Sequence, residues 1–404
     1  MAVPKLRFPE FTDDWEQRKF GDVFEEYSEK NHEDLPPLTI VQGSGTIPRE
    51  ESGRDIKYDK SSLNNYKLVN PGDFILHLRS FEGGLEVANS QGIVSPAYHI
   101  FRGIRTDSRF YYPFFRSHDF INILLKPHVY GIRDGKSIDV EGMKSIKIPY
   151  PDFDEQKRIG DFFDHLDNAI TLHQRKLEDL RILKKSMLQK MFPSEGNSVP
   201  EVRFPEFTAA WEQRKLGSIS EIKTGPFGST LHADDYVTDG IPIITTEHFK
   251  NGDLPTSKNG LPQVSDEDYK RLSSYVLNEG DIVFSRVGSV DINALVMPSQ
   301  RHWLFSGRVL RVRPDMVNDP QFLHTVLETE TIKADIRSRA VGQTMPSINT
   351  EILNETLVMM PQLRAEQEQI GQFFYSLNKT ITLHQRKCDD LQKLKKALLQ
   401  QMFC

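Results

Sequence analysis

Three constellations in the sequence hold residue types that do chemistry; the first two fail on spacing and the third has a simpler role. Gly131-Ile-Arg-Asp-Gly135-Lys136-Ser137 has the glycines, lysine and hydroxyl of a phosphate-binding loop. It is one residue too short between its glycines, and no strand-like run leads directly into it. Pro151-Asp152 followed by Glu155-Gln156-Lys157 offers the carboxylates and lysine of a metal-dependent nuclease. Only two residues separate its halves, and a second copy, Pro361-Gln362 with Glu366-Gln367-Glu368, loses both the Asp and the Lys. A helix cap, with Asp152 and Glu155 three apart as in a capping box, explains it better. His173 and His384 occupy matching slots and invite a shared metal. A polar residue that sets the register of a helical seam is the simpler role. No Gly-x-Ser-x-Gly nucleophile elbow, Rossmann glycine fingerprint or His-Glu-x-x-His spacing occurs, and Asn70-Pro71 is followed by Gly72 rather than by the Pro-aromatic of amino-methyltransferases. Chemistry by this chain alone is not expected.

With 404 residues, 38% hydrophobic and 27% charged, the chain has room for about two or three ordinary globular domains. Its two cysteines, Cys388 and Cys404, support neither a disulfide framework nor a cysteine metal cluster. No apolar run exceeds four residues, against roughly 20 for a bilayer span. Met1-Ala2-Val3-Pro4-Lys5 also lacks the apolar core of a secretory signal. A cytoplasmic location without a membrane partner is expected. The formal charge of −6 argues against unspecific coating of nucleic acid, but it is polarised. Residues 102–147 carry nine basic against five acidic side chains and 286–313 five against one, each a net +4, whereas 22–59 carry ten acidic against four basic.

The elements that would position such residues are written twice. Pro4-Lys-Leu-Arg-Phe-Pro-Glu-Phe-Thr-Asp-Asp-Trp-Glu-Gln-Arg-Lys-Phe-Gly21 returns at 200–217 with 13 of 18 identities, and 155–192 returns at 366–403 with 23 of 38. Between the copies lie 22–150 and 218–360, which share only echoes: Pro71-Gly72-Asp73-Phe74-Ile75-Leu76 beside Glu279-Gly280-Asp281-Ile282-Val283-Phe284, and a proline, Pro151 or Pro361, ahead of each later copy. A common scaffold carrying two different ligand surfaces is the natural reading.

The later copies read as helices. Ile159, Phe163, Leu166, Ile170, His173, Leu177, Leu180, Lys184, Met187 and Met191 follow 4-3 spacing, as do Ile370, Phe374, Leu377, Ile381, His384, Cys388, Leu391, Lys395, Leu398 and Met402. Each makes a heptad seam, and about 38 residues at ~1.5 Å rise predict a rod of roughly 57 Å. A hairpin would need a short connection, yet 193–365 lies between the two helices. An internal two-fold axis would run the helices antiparallel, with the variable regions at opposite ends. Lys184-Lys185 and Lys395-Lys396 suit the helix C-terminal dipole and need no other role. In the variable regions 93–101, 281–287 and 309–312 read as strands, and 111–126 and 320–339 as helices, so that two α+β domains of roughly 130 to 145 residues are expected.

The doubled Phe-Pro-Glu-Phe-Thr-x-x-Trp-Glu-Gln-Arg-Lys block, the two variable regions and the paired Glu-Gln…Ile-Thr-Leu-His-Gln-Arg-Lys helices resemble the specificity (S) subunits of type I restriction-modification systems, over essentially the whole chain. The Gly-Asp strand starts, Thr224-Gly225-Pro226-Phe227-Gly228-Ser229 and Gly342-Gln343-Thr344-Met345-Pro346-Ser347-Ile348-Asn349 resemble parts of the family's target recognition domains. The resemblance implies an α+β fold: two target recognition domains separated by two long antiparallel helices that form a coiled coil, with internal pseudo-two-fold symmetry. It divides the chain into repeat segment 1–21, first recognition domain 22–150, helix 151–192, linker 193–199, repeat segment 200–217, second recognition domain 218–361 and helix 362–404.

The same resemblance implies a non-catalytic DNA-recognition subunit. Each recognition domain would read one half of a split, asymmetric site in double-stranded DNA, and the helices would set the gap. Two modification (methyltransferase) subunits would dock on the conserved blocks, and two restriction (translocase and endonuclease) subunits would join them. No cofactor is implied on this chain; the assembled complex would use S-adenosylmethionine, with ATP and Mg²⁺ for restriction. For DNA contact the basic stretches and family-like loops point to Arg79, Arg102, Arg105, Arg133 and Lys136 in the first domain, and to Thr224, Ser229, Arg286, Arg308, Arg311 and Gln343 in the second. A protein-only coiled-coil scaffold and a stand-alone DNA-modifying enzyme are the alternatives. Sequence-selective, salt-dependent DNA binding distinguishes the first, and methyl transfer by the isolated chain the second.

Overall fold

The structure, a computed structural model, describes residues 4–53, 60–77, 84–131, 137–226, 230–249 and 252–403. The chain forms two compact units, Met1–Gln174 with Arg386–Cys404, and Arg175–Gln385. These units cut across the linear segments expected from the repeats, because each takes in the C-terminal part of the other half's long helix.

The first unit is built on a four-stranded antiparallel sheet ordered Phe24–Tyr27, His99–Gly103, Phe74–Leu76 and Glu86–Val87. Successive strand residues face opposite sides. Phe24, Phe74 and Phe101 therefore meet Phe110, Tyr111, Phe115 and Phe120 in one core, while Ile75 and Ile100 meet Leu38, Val69 and Val94 in another. The second unit repeats the order with Ser220–Thr224, Val309–Pro314, Ile282–Ser285 and Asn293–Leu295. Ile282, Phe284, Leu310 and Val312 face Phe322, Leu323 and Val326, whereas Val283, Ala294 and Val309 face Ile244, Phe249 and Phe305. Divergence lies in what covers the second face. The second unit adds a four-stranded sheet with one parallel pair, Ile241–Ile244 beside Leu304–Phe305. The first has two antiparallel pairs, Leu38–Val41 with Gly45–Pro48 and Lys67–Val69 with Gly92–Val94.

Three expected elements are shorter than anticipated. The run 93–101 divides into Gly92–Val94 and His99–Gly103, with Pro96 in the turn between them, where it withdraws a donor. The helix expected over 111–126 is Ser108–Phe115, with Pro113 inside it, followed by a π-helical turn Phe120–Leu125. The helix expected over 320–339 divides into Pro320–Leu327 and Glu330–Arg339, where the Thr329 hydroxyl turns back to the Val326 carbonyl.

The long helices are Phe153–Lys190 and Arg364–Met402. In the first unit the Phe403 ring lies 6.3 Å from Phe163 and Lys395 Nζ lies 2.5 Å from Asp167. In the second, Phe192 lies 5.9 Å from Phe374, and Arg181 donates to Gln385 at 3.0 Å. Within each unit one helix's numbering rises as the other's falls, so the segments run antiparallel. The seam read from the heptads is buried at Ile159, Phe163, Leu166, Ile170, Leu177, Leu180 and Met191, and at Ile370, Phe374, Leu377, Cys388 and Met402, while His173 and His384 are half-buried. The seam lysines are not mere dipole partners. Lys395 pairs with Asp167, and Lys184 reaches Glu328 at 2.9 Å.

The repeated blocks form a joint. Asp152 accepts the Asp154 N–H at 2.9 Å, as a cap should, but Glu155 turns to the N-terminal block and leaves the expected capping box unformed. Its buried carboxylate accepts from Arg7 Nε and Nη2 at 2.6 and 2.7 Å and from Trp15 Nε1 at 3.0 Å. Glu366 does the same for Arg203, at 2.7 and 2.9 Å, and for Trp211 at 3.1 Å. The adjoining glutamines finish the joint. Gln156 accepts the Asp107 N–H and donates to the Pro151 carbonyl, and Gln367 does so for Asp319 and Pro361. A backbone bond from Leu6 to the Gln401 carbonyl has its twin in Val202 to Lys190. The identities in the repeats are thus those of one buried polar network, made twice.

Candidate nucleic-acid interface

Each Gly-Asp echo is a structural device at the start of a central strand. Gly72 and Gly280 hold φ of +92° and +87°, which favours glycine. The buried Asp73 then accepts the Asn70 N–H at 2.8 Å and takes Arg102 in a fork at 2.9 and 2.8 Å. Asp281 accepts the Asn278 N–H at 2.7 Å and Arg313 at 2.7 and 2.8 Å. The hydrogen bonds to Asp73 hold the Arg102 guanidinium's pKa above its ordinary value, and that guanidinium also lies 3.7 Å from the Tyr27 ring centroid. Arg102 therefore braces two strands of the sheet. A phosphate contact would compete with a bidentate carboxylate.

Arg311 is also placed away from the surface. Strand alternation turns it to the face shared with Val309 and Phe305, where it is 2% exposed and pairs with Glu221 at 2.7 Å. Burial, with Arg313 adding, pushes its pKa down. Arg105 is exposed at φ +51°, just past Gly103, at the sheet end where Phe24 begins. Arg79, Arg133, Lys136 and Ser229 lie outside the described residues.

The remaining expected contacts converge on one end of the second unit's sheet. Thr224 ends its strand opposite Leu310, and the next N–H, of Gly225, bonds to the Val309 carbonyl at 3.1 Å. A Cβ on Gly225 would lie 2.1 Å from the Ser306 carbonyl oxygen, so only glycine lets the two loops approach. Arg286 donates its backbone N–H to the Arg308 carbonyl at 2.9 Å and its Nη1 to Gly307 at 3.1 Å. Its own carbonyl accepts from Ile348 at 2.9 Å, and Gly288 bonds to the Pro346 carbonyl at 2.8 Å. This fastens the turn 341–347, in which Val341 and Ser347 exchange backbone bonds at 2.9 and 2.8 Å, to the same end. Arg308 and Gln343 are exposed there. Thr224, Arg286, Arg308 and Gln343 thus share one neighbourhood, built of loops on a rigid sheet.

In the first unit, residues 132–136 of the phosphate-loop-like stretch lie outside the described residues, and its flanks match the base of that turn. Val129–Tyr130 pairs antiparallel with Ser137–Ile138. Both elements end in the same way: Asp139 accepts the Gly142 N–H at 2.9 Å and Asn349 the Ile352 N–H at 2.9 Å, each capping a short helix. The shared signal in the sequence is Ser-Ile-Asp at 137–139 and Ser-Ile-Asn at 347–349. The exposed apolar residues of these turns, Tyr130, Val341 and Met345, were missed. Among the described residues no three metal-ligating side chains gather, and no helix is long and apolar enough to cross a membrane.

The family described as "Type I restriction modification DNA specificity domain" matches residues 12–181 and 209–393, once in each half. The type I restriction enzyme MjaVIII specificity subunit of Methanocaldococcus jannaschii is 24% identical over 425 residues, covering 98% of this chain and 92% of its own length. The putative type I restriction enzyme MjaX specificity subunit of that organism is 22% identical over 427 residues, covering 98% and 94%. Among solved structures, the S subunit of a type I restriction-modification system from M. genitalium aligns over 100% of this chain and 99% of its own, with a TM-score of 0.65 at 15% identity. That is a likeness of fold.

Proposed function

The chain belongs to the type I restriction modification DNA specificity domain family, and from that premise we propose that its two units each read one half of a split, asymmetric DNA site. It is the specificity subunit of a type I restriction-modification system and acts in a complex with DNA and other subunits. The observation that supports two-site reading is the pairing of sameness and difference. Both units carry the same sheet order and the same Glu-Gln joint, yet the loops at the sheet ends differ in sequence. Identical joints suit identical partners, and unlike loops suit unlike half-sites.

On this reading two modification subunits dock on the repeated blocks, two restriction subunits join them, and the antiparallel helices set the gap. The chain catalyses nothing itself. On the same reading S-adenosylmethionine, ATP and Mg²⁺ belong to the partner subunits.

The test is to co-express the chain with its modification subunits and sequence the methylated adenines, which reports both half-sites and the gap. Four residues inserted after Lys176 add about 6 Å of helix. The gap should change by one or two base pairs while both half-sites persist. An unchanged gap would refute the ruler.

A further inference from the structure

Turns that meet water are ordinarily polar, yet the turn beside each sheet carries apolar side chains outward. In the second unit Val341 and Met345 are 69% and 66% exposed, with Gln343 between them also in solvent. In the first, Tyr130 precedes Gly131 as Val341 precedes Gly342, and it is 53% exposed. Those glycines hold φ of +90° and +104°. The base of each turn is fixed, since Ile138 and Ile348 are buried and the following Asp139 and Asn349 cap helices. The exposed side chains are therefore held outward by a rigid base.

We infer, resting on the reading proposed above, that the second unit's turn enters a groove of the duplex and lays Val341 and Met345 against base edges, and that Tyr130, at the end of its strand, does the same for the first unit. Val341 and Met345 then help select bases in one half-site, and Tyr130 in the other. A two-stranded ribbon fits the major groove, and apolar side chains meet thymine methyl groups there. The second unit's turn is bonded to the Arg286 backbone, beside the exposed Arg308, so positive charge flanks the tip where phosphates flank a groove. The bases of the two turns match, Ser137-Ile138-Asp139 and Ser347-Ile348-Asn349, while the tips differ. A surface for identical modification subunits would present the same residues twice. Tips that differ on a common base suit two unlike half-sites.

The test uses the complex with modification subunits and maps methylated adenines for the wild type, Val341→Ala with Met345→Ala, and Tyr130→Ala. Val341→Thr with Met345→Gln keeps side-chain size, should the alanine pair lower the melting temperature. The expected result is relaxation at one or two base pairs of a single half-site. Methylation of single-mismatch sites should rise about tenfold relative to the native site, within the range that one mismatch costs. Tyr130→Ala should relax the opposite half-site, and the gap should not change. Identical sites at identical relative rates in every variant would overturn the inference. So would loss of assembly with the modification subunits at an unchanged site, which would give the tips to a protein partner. A wild-type complex that methylates no split site would instead overturn the reading on which the tips rest.

Discussion

Removing the Glu366 carboxylate tests whether the joint governs how the second unit holds its helix. Arg203 is 10% exposed in its side chain and Glu366 2%, and Trp211 donates to the same carboxylate. Glu366→Leu leaves a buried guanidinium with only the Ala209 carbonyl as acceptor and no countercharge, and a buried indole N–H without its acceptor. Breaking a buried pair from one side costs about 3–5 kcal/mol. Arg203→Met leaves the carboxylate held by Trp211 alone and should cost a similar amount. The double variant removes both charges and should cost only about 1–3 kcal/mol, chiefly for the unsatisfied indole. The assay is urea unfolding of the full chain, with hydrogen exchange across 364–380 to localise the effect. Arg7 and Glu155 provide the same cycle in the first unit, where the exposures are 13% and 1%. Single substitutions costing under about 1 kcal/mol, or a double variant as costly as the sum of its singles, would refute the argument from buried charge.

Two further outcomes separate residues that look alike in sequence. Arg308→Ala should lower the slope of log affinity against log salt by about 0.9 if Arg308 neutralises one phosphate, whereas Arg311→Met should leave the slope unchanged because that side chain is buried; salt titration of the assembled complex on its site decides both. Lys184→Met should destabilise the second unit at neutral pH by about 1–3 kcal/mol. Burial raises the Glu328 pKa, but His324 and Lys184 outweigh it and hold the carboxylate below its usual range. A depressed folded value means that this stability is complete above the unfolded pKa, about 4.3, and is lost as pH falls through the folded one. The difference between wild type and variant should therefore shrink in acid unfolding curves, and a difference that grows below pH 4 would contradict the assignment.

Repeats and heptads were legible because they are patterns of local sequence. A 3.5-residue apolar period commits a segment to a helical seam before any partner is known, and two near-identical blocks commit the chain to one joint made twice. The seam positions from Ile159 to Met191 and from Ile370 to Met402 follow from that alone. The functions of the charged residues did not follow. Arg102, Arg308 and Arg311 are equivalent as letters, but strand alternation and register decide that the first meets Asp73, the second faces solvent and the third turns inward toward Phe305. Glu155 reads as a helix cap because its nearest signals in sequence are local. Its actual partners, Arg7 and Trp15, lie about 140 residues away. Nor does the sequence tell whether an apolar residue beside a turn glycine is covered, and only packing shows Val341 and Met345 left outside the core. Periodicity is a property of the chain. Which polar group meets which, and which apolar group meets nothing, depends on contacts distant in sequence, and those exist only once the sheets have assembled.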